Sequence, residues 1–175
     1  MRGIVLYKSK YGVTKKYAEW ISEEMQYDMM DVTKVKKKDI QEYDIIVLGG
    51  GIYAMGIAGL DFLRKNPEFV QQKKVFVFCD GASPFDEEAF SVIRERNMKE
   101  VLRDVPLFYF RGGWDMAKMS FMDRNLCKML QKAVDKKDPS EYEVWEKALV
   151  EAGKDACDWT NQEYIKPLIE KLKEL

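Results

Sequence analysis

Residues 3–25 read GIVLYKSKYGVTKKYAEWISEEM, and this stretch decides the fold class. Its first five residues form a largely apolar run, typical of a strand that is buried on both faces. From Thr14 to Met25 the apolar residues recur at helical spacing. The polar loop between the two segments contains one glycine, Gly12. The stretch therefore predicts a buried strand, a polar loop and an amphipathic helix, in that order.

The same alternation continues along the chain. Further strand-like runs occupy residues 29–32, 44–48, 75–79 and 107–110, and helical patterns occupy residues 57–65 and 83–102. We expect Gly49-Gly50-Gly51 to end the third strand and Asp80-Gly81 to turn the chain out of the fourth. Strands that alternate with helices predict an α/β fold with a three-layer, doubly wound, five-stranded parallel sheet.

The pattern changes after the last strand. Helical patterns occupy residues 121–134, 142–149 and 165–172, and Asn161 is expected to cap the closing helix. No internal repeat or convincing linker interrupts the sequence. We expect a single domain over residues 1–175, in which residues 111–160 form a helical extension.

The overall composition excludes several classes of function. The 175 residues include 29 basic and 30 acidic side chains, for a net charge of −1, so we expect no nucleic-acid partner. The charge is unevenly placed: residues 111–137 carry +4 and residues 138–175 carry −5. The chain contains no histidine. This excludes His-based catalytic triads and the commonest metal ligand, and no metal site is predicted.

The cysteines and the hydropathy indicate the cellular compartment. Cys79, Cys127 and Cys157 form no CxxC pair, which fits a reducing environment, and Cys79 is expected to be a small core residue. No signal-peptide pattern is present, and no apolar run approaches the ~20 residues of a membrane helix. We therefore expect a cytoplasmic protein with at most peripheral membrane contact.

The loop Ser9-Lys10-Tyr11-Gly12-Val13-Thr14 indicates a ligand most directly. A phosphate at this position meets the free N–H groups of a helix N-terminus, and the hydroxyls of Ser9 and Thr14 can also donate. Gly12 permits a left-handed turn in which successive amides converge on one anion. Ligands of open α/β sheets bind beyond the carboxyl ends of the strands, where this loop lies. We call it the phosphate loop.

Other phosphate-binding patterns fit the sequence less well. A dinucleotide site requires GxGxxG at this position, whereas the phosphate loop has one glycine, and GxxxxGK[ST] occurs nowhere in the chain. An ordinary polar turn uses the same residue types. The phosphate loop alone therefore leaves phosphate binding and a simple turn about equally open.

Two further loops favour a ligand at the same edge of the sheet. Glycines allow the backbone to approach a flat ring, and Tyr53 and Met55 offer aromatic and sulfur surface to cover it. Backbone groups of such loops can hydrogen-bond the edge of a flavin ring. The candidate residues after the third and fourth strands are Gly51, Ile52, Tyr53, Ala54, Met55, Gly56, Asp80, Gly81 and Ala82.

At these three loops the sequence resembles the flavodoxin superfamily, and within it the branch that includes menaquinone-dependent protoporphyrinogen oxidase. The resemblance lies in residues 6–15 with Ala18, in residues 49–56, in Phe110-Arg111-Gly112-Gly113 leading to Met122-Asp123-Arg124, and in residues 158–161. It implies a flavodoxin-like strand order of 2-1-3-4-5. It also implies one non-covalently bound FMN, with its phosphate on the phosphate loop and its ring between the other two loops.

The resemblance implies an FMN-dependent oxidoreductase of heme biosynthesis that passes electrons from a porphyrinogen to a quinone, although no catalytic residue is assigned. A non-catalytic electron-transfer protein with a redox protein partner is the alternative, and a flavin-free interaction module is a third. The sequence departs from the family at Tyr11, which replaces a hydroxyl residue before the glycine. Its near-neutral charge also departs from the acidic face of carrier flavodoxins.

The segment after the last strand leaves two interpretations. Residues 114–134 interleave Trp and Met with basic side chains. We favour a helix packed into the core with a solvated basic face. The alternative is an apolar wall near the flavin that meets a quinone, a porphyrin or a membrane surface, with Trp114 as a lid. A homodimer is also left open.

Overall fold

β-Branched and aromatic runs form the strands of a central sheet in the computed structural model, which describes residues 1–153 and 155–175. The strands are β1 (Gly3–Lys8), β2 (Asp28–Asp31), β3 (Ile45–Tyr53), β4 (Gly56–Ile57), β5 (Lys74–Gly81), β6 (Leu107–Arg111), β7 (Gly113–Trp114) and β8 (Cys157–Asp158). The helices are α1 (Val13–Met25), α2 (Asp61–Lys65), α3 (Pro67–Gln72), α4 (Glu87–Asn97), α5 (Phe121–Val134), α6 (Val144–Ala152) and α7 (Lys166–Lys173).

The main sheet has the order β2-β1-β3-β5-β6, and all of these neighbours are parallel. The short strand β4 pairs antiparallel with β3 and lies off this path. The five parallel strands therefore follow the predicted order 2-1-3-4-5, and the predicted α/β fold is confirmed.

Alternate residues along the strands point to opposite faces of the sheet and contribute to two hydrophobic cores, one on each face. Ile4 and Leu6 of β1 pack with residues of α2, α3 and α4, whereas Val5 packs with residues of α1 and α7. Cys79 is fully buried in the first of these cores, as predicted. Helices on both faces produce the three layers that the apolar runs indicate.

The three consecutive glycines continue β3 and do not end it. A Cβ atom at Gly49 would lie 2.0 Å from the Cζ atom of Phe78, and one at Gly50 would lie 1.9 Å from the carbonyl oxygen of Ala58. These positions lack a side chain because neighbouring groups fill the space. The prediction that they end the strand was wrong, and so was the predicted turn at Asp80-Gly81, because β5 extends through Gly81.

Two predicted helices divide into shorter elements. Residues 57–65 were predicted to be one helix, but Ile57 belongs to β4 and α2 begins at Asp61. Pro67 begins α3, since proline is tolerated at a first helical position whose N–H needs no partner. The helix predicted over residues 83–102 starts after Asp86, whose Oδ1 accepts a hydrogen bond from the Ala89 amide at 2.9 Å. It ends at Asn97.

The described part of the segment after β6 contains the helices α5, α6 and α7 and a two-stranded sheet. Strand β7 pairs antiparallel with β8, a pairing that sequence reasoning missed. Asn161 accepts a hydrogen bond from the amide of Glu163 and caps a 3-10 turn that leads into α7. In the described part of the chain, every helix is too short or too polar to cross a bilayer.

Helix α5 has the predicted bounds, but the favoured packing of its apolar face into the core was wrong. Phe121, Met122, Leu126 and Met129 are all exposed, and Val134 is the one buried residue of the helix. The core is already filled by α1, α7 and the other helices that cover the sheet.

Candidate functional site

The three candidate loops meet at the carboxyl edge of three neighbouring strands. The phosphate loop follows β1, a tight hairpin joins β3 to β4, and the third loop follows β5. Lys8 is in register with Gly50, and Gly51 is in register with Asp80. The structure thus brings the sequence-predicted residues to one edge of the sheet.

The phosphate loop turns through Gly12 into the first turn of α1. Gly12 has a left-handed conformation with φ 97°, and its amide donates to the Oγ atom of Ser9 at 3.0 Å. The first helical hydrogen bond runs from the Lys16 amide to the Gly12 carbonyl at 3.0 Å. The amides of Val13, Thr14 and Lys15 therefore have no carbonyl acceptor within the helix. A Cβ atom at Gly12 would meet nothing within 4 Å, so the space beside these amides is open.

Thr14 uses its hydroxyl inside the protein. The side chain is buried, and its Oγ1 atom donates to Oδ2 of Asp80 at 2.7 Å. Burial raises the pKa of Asp80 to about 6, although the hydrogen bond from Thr14 opposes the shift. The expected hydroxyl contact of Thr14 with phosphate is therefore replaced by this pairing, and Thr14 offers its amide alone.

Lys10 and Tyr11 both contact Asp123, a residue that the sequence did not place at the site. The Lys10 ammonium forms an ion pair with Asp123, and the Tyr11 hydroxyl donates a hydrogen bond to the same carboxylate. The hydrogen bonds from Lys10 and Tyr11 lower the pKa of Asp123. Asp123 lies in the first turn of α5, and its amide donates to the Oγ atom of Ser120 at 3.2 Å. The Ser-x-x-Asp pattern predicts the start of α5, but it does not predict the contact of Asp123 with the phosphate loop.

The hairpin after β3 contains two residues in unfavourable backbone conformations. Ala54 and Met55 both have positive φ, at 47° and 69°, where glycine or asparagine is usual. The buried side chain of Asn97 fixes the hairpin: its Nδ2 donates to the Met55 carbonyl at 2.8 Å, and its Oδ1 accepts from the Ile57 amide at 2.9 Å. Asn97 is a second residue that the sequence did not indicate.

Tyr53 and Met55 offer partly exposed surface at the rim of the site. They are 40% and 39% exposed, respectively. The Tyr53 ring lies over Gly51 and 5.7 Å from the Lys10 ammonium, so it bridges the hairpin and the phosphate loop. Burial raises the pKa of the Tyr53 hydroxyl to about 12. Ile52 is partly buried, and its side chain packs against the core.

The third loop is fixed by two side chains of β6. The Tyr109 hydroxyl donates to the carbonyl of Ser83 at 2.5 Å, and burial raises the pKa of this hydroxyl. Arg111 donates from Nε to the carbonyl of Ala82 at 3.1 Å, and its guanidinium lies 4.2 Å from the ring centroid of Trp159. Side chains of β6 therefore hydrogen-bond the loop backbone from Gly81 to Ser83.

Residues 4–142 match the flavodoxin domain. The chain belongs to the flavodoxin-domain family. A further relative is an uncharacterized protein of Methanocaldococcus jannaschii, which is 32% identical over 91 residues. That alignment covers 51% of this chain and 61% of the relative, so the chain matches about three-fifths of that protein's length. Membership of the flavodoxin-domain family supports FMN as the cofactor.

Solved structures that are similar to this chain include a flavodoxin and a flavoprotein. A flavodoxin from the domain Archaea is 19% identical, with a TM-score of 0.42, and the match covers 74% of this chain and 92% of that one. A flavoprotein in complex with FMN from Lactobacillus acidophilus is 17% identical, with a TM-score of 0.42 over 63% of this chain and 91% of that one.

The loops of this flavodoxin-domain chain fit the two ends of FMN. The open space at Gly12 and the adjacent amides suit a phosphate, because they offer neutral donors at the positive end of a helix dipole. The surfaces of Tyr53 and Met55 suit a flat ring. Trp114 is half-buried in β7, and its indole N–H has no hydrogen-bond partner among the described residues. Its role as a lid stays a prediction.

Proposed function

We propose that the chain binds one FMN without a covalent bond and transfers electrons through it. The observation that carries this proposal is the left-handed Gly12 at the start of α1, at the same edge of the sheet as the hairpin and the loop that follows β5. The amides of residues 13–15 would receive the phosphate, and the Lys10 ammonium, which is paired with Asp123, would lie nearby. When bound, FMN supplies the reversible uptake of electrons that protein side chains alone do not provide.

We further propose that the chain is an oxidoreductase of the protoporphyrinogen oxidase type. Oxidation of a porphyrinogen releases electron pairs and protons, and a quinone takes up both to become a quinol. The resemblance at residues 110–113 and 122–124 supports this assignment, because the second of these segments contains Asp123 and contacts the phosphate loop. The three free cysteines fit a reducing cytoplasm, where heme biosynthesis would use such an enzyme.

A non-catalytic electron-transfer protein is the second candidate. Such carriers use charge to reach a redox partner protein, and the +4 charge of residues 111–137 favours an acidic partner surface. The net charge of −1 gives the whole chain little electrostatic steering, which favours the enzyme.

An absorption spectrum of the purified protein after incubation with FMN and desalting tests the first proposal. Retained flavin absorbance supports FMN binding, and a colourless protein leaves only a flavin-free interaction module. Anaerobic oxidation of protoporphyrinogen with a menaquinone analogue then separates the two flavin-dependent candidates. Porphyrin formation that requires the quinone supports the enzyme. Flavin that is reduced and reoxidised without porphyrin formation supports the electron-transfer protein.

A further inference from the structure

Helix α5 presents a row of apolar side chains to solvent. Met122, Leu126, Met129 and Ala133 are spaced by four, three and four residues, which places them on one side of the helix. Met122 is 80% exposed, Leu126 53% and Met129 67%. We call these four residues the α5 stripe. Single exposed apolar residues are ordinary, whereas a contiguous apolar surface marks a site of contact.

Polar contacts fix the other side of α5 to the protein. Asp123 binds the phosphate loop, and Gln131 donates from Nε2 to the Gly153 carbonyl at 2.8 Å. The Arg124 guanidinium donates to three backbone carbonyls within 3.0 Å, those of Met116, Ala117 and Met119. The helix is therefore anchored with its apolar side outward.

Uncompensated positive charge borders the α5 stripe. Lys128 and Lys132 lie one helical turn apart and are exposed, and neither forms an ion pair within the described residues. Asp123 is the one acidic residue of α5, and it faces the phosphate loop. With 3.6 residues per turn, Lys132 lies on the flank of the α5 stripe and Lys128 lies farther round the helix, so lysines border the apolar surface on one flank.

We propose that the α5 stripe docks on an anionic lipid surface. Helices that lie in a bilayer interface bury an apolar face and flank it with lysine or arginine. The 14 residues of α5 make it about 21 Å long, which suits a position in the plane of the bilayer. Because α5 begins next to the phosphate loop, docking would place the carboxyl edge of the sheet beside the membrane.

A second copy of the chain is the competing occupant. Twofold pairing of α5 with itself would bring Lys128 and Lys132 of both copies into one interface, where like charges repel. One short helix from each copy also offers little area compared with the ~1,200–2,000 Å² of stable interfaces. Charge and area both favour the lipid surface.

Vesicle flotation of the full chain tests the proposal. We expect the protein to float with vesicles that contain phosphatidylcholine and phosphatidylglycerol. With vesicles of phosphatidylcholine alone it should remain in the bottom fraction of the gradient. Each lysine removed by Lys128→Gln or Lys132→Gln should weaken binding about fivefold, because a lysine near an anionic leaflet contributes about 1 kcal/mol. High salt should weaken binding further, since the Debye length shrinks from ~10 Å at 0.1 M to ~3 Å at 1 M.

The triple variant Met122→Gln/Leu126→Gln/Met129→Gln should abolish flotation and keep the far-ultraviolet circular dichroism of the wild type. The matched control is Val92→Gln, an exposed apolar residue of α4, which should float normally. Equal flotation with both vesicle types, or none with either, overturns the proposal. So does a dimer in sedimentation equilibrium that the triple variant dissociates. FMN titration of the same variants is independent of lipid, so failure of lipid docking and failure of the proposed function are distinguishable.

Discussion

The Thr14 hydroxyl donates a 2.7 Å hydrogen bond to the buried carboxylate of Asp80 and so ties the phosphate loop to the end of β5. No cation pairs with Asp80 among the described residues, and burial raises its pKa to about 6. A carboxyl group whose pKa is higher in the folded state binds its proton more tightly there than in the unfolded chain. Its contribution to stability is therefore full at low pH and is lost as the pH rises through about 6.

Asp80→Asn should remove this pH dependence, because an amide keeps an acceptor for Thr14 and carries no charge. The free energy of unfolding of the variant relative to wild type should rise by about 2–3 kcal/mol between about pH 4 and pH 7, since each unit of pKa shift is worth ~1.4 kcal/mol. Urea denaturation at several pH values measures this difference. A difference that stays constant with pH would show that Asp80 ionises normally.

Gly12→Ala should weaken both folding and FMN binding. The left-handed backbone at φ 97° costs an alanine about 1–2 kcal/mol, although the space around its Cβ is open. The added methyl group would also lie beside the amides that we propose to receive the phosphate. We expect FMN affinity to fall by about tenfold or more and riboflavin affinity to change little, as measured by flavin fluorescence titration. An equal loss for both flavins would indicate general damage to the loop.

Asp123→Asn should strengthen FMN binding. The Asp123 carboxylate neutralises Lys10 and places negative charge beside the phosphate loop. Its removal should tighten FMN binding by about threefold to tenfold at low salt, and the gain should shrink at high salt because these groups are exposed. Stability should change by less than about 1 kcal/mol. Asp115→Asn, which removes a carboxylate paired with Lys118, is the matched control and should leave FMN affinity unchanged.

Asn97→Ala should destabilise the protein and loosen the hairpin. The buried amide of Asn97 bonds the Met55 carbonyl, the Ile57 amide and the Ile93 carbonyl. Loss of three hydrogen bonds at about 1 kcal/mol each predicts destabilisation of about 2–4 kcal/mol. Hydrogen exchange at Ile57 should also accelerate relative to core amides. Exchange that remains slow at Ile57 would show that Asn97 does not support the hairpin.

The sequence predicted most of the parallel sheet because each buried strand is a continuous apolar run with flanking turn residues. It failed at Gly49-Gly50-Gly51, where glycine reflects the approach of Phe78 and Ala58, which are distant in sequence. The β7–β8 pairing was missed for a similar reason, since two-residue strands have no periodicity. Helix α5 was located correctly, but periodicity identifies an apolar face without showing what covers it.

The candidate site was predicted in outline from strand ends, which converge on one edge of any parallel sheet. The residues that support the site from other parts of the chain were not predicted. Asp123 reaches the phosphate loop from more than one hundred positions away, and Asn97 reaches the hairpin from the end of α4. Such contacts depend on tertiary packing, which local patterns do not encode. The pairing of Thr14 with Asp80 joins two predicted site residues in a way that neither loop alone indicates.

Comparison of FMN with riboflavin tests the central claim most directly, because the two ligands differ only in the phosphate. Titration of the wild-type protein, followed by flavin fluorescence, gives both dissociation constants. If the amides of residues 13–15 bind the phosphate, FMN should bind at least about tenfold more tightly, since a hydrogen bond to a charged group contributes about 1.5–3 kcal/mol. Equal affinities, or no binding of either flavin, would contradict the account.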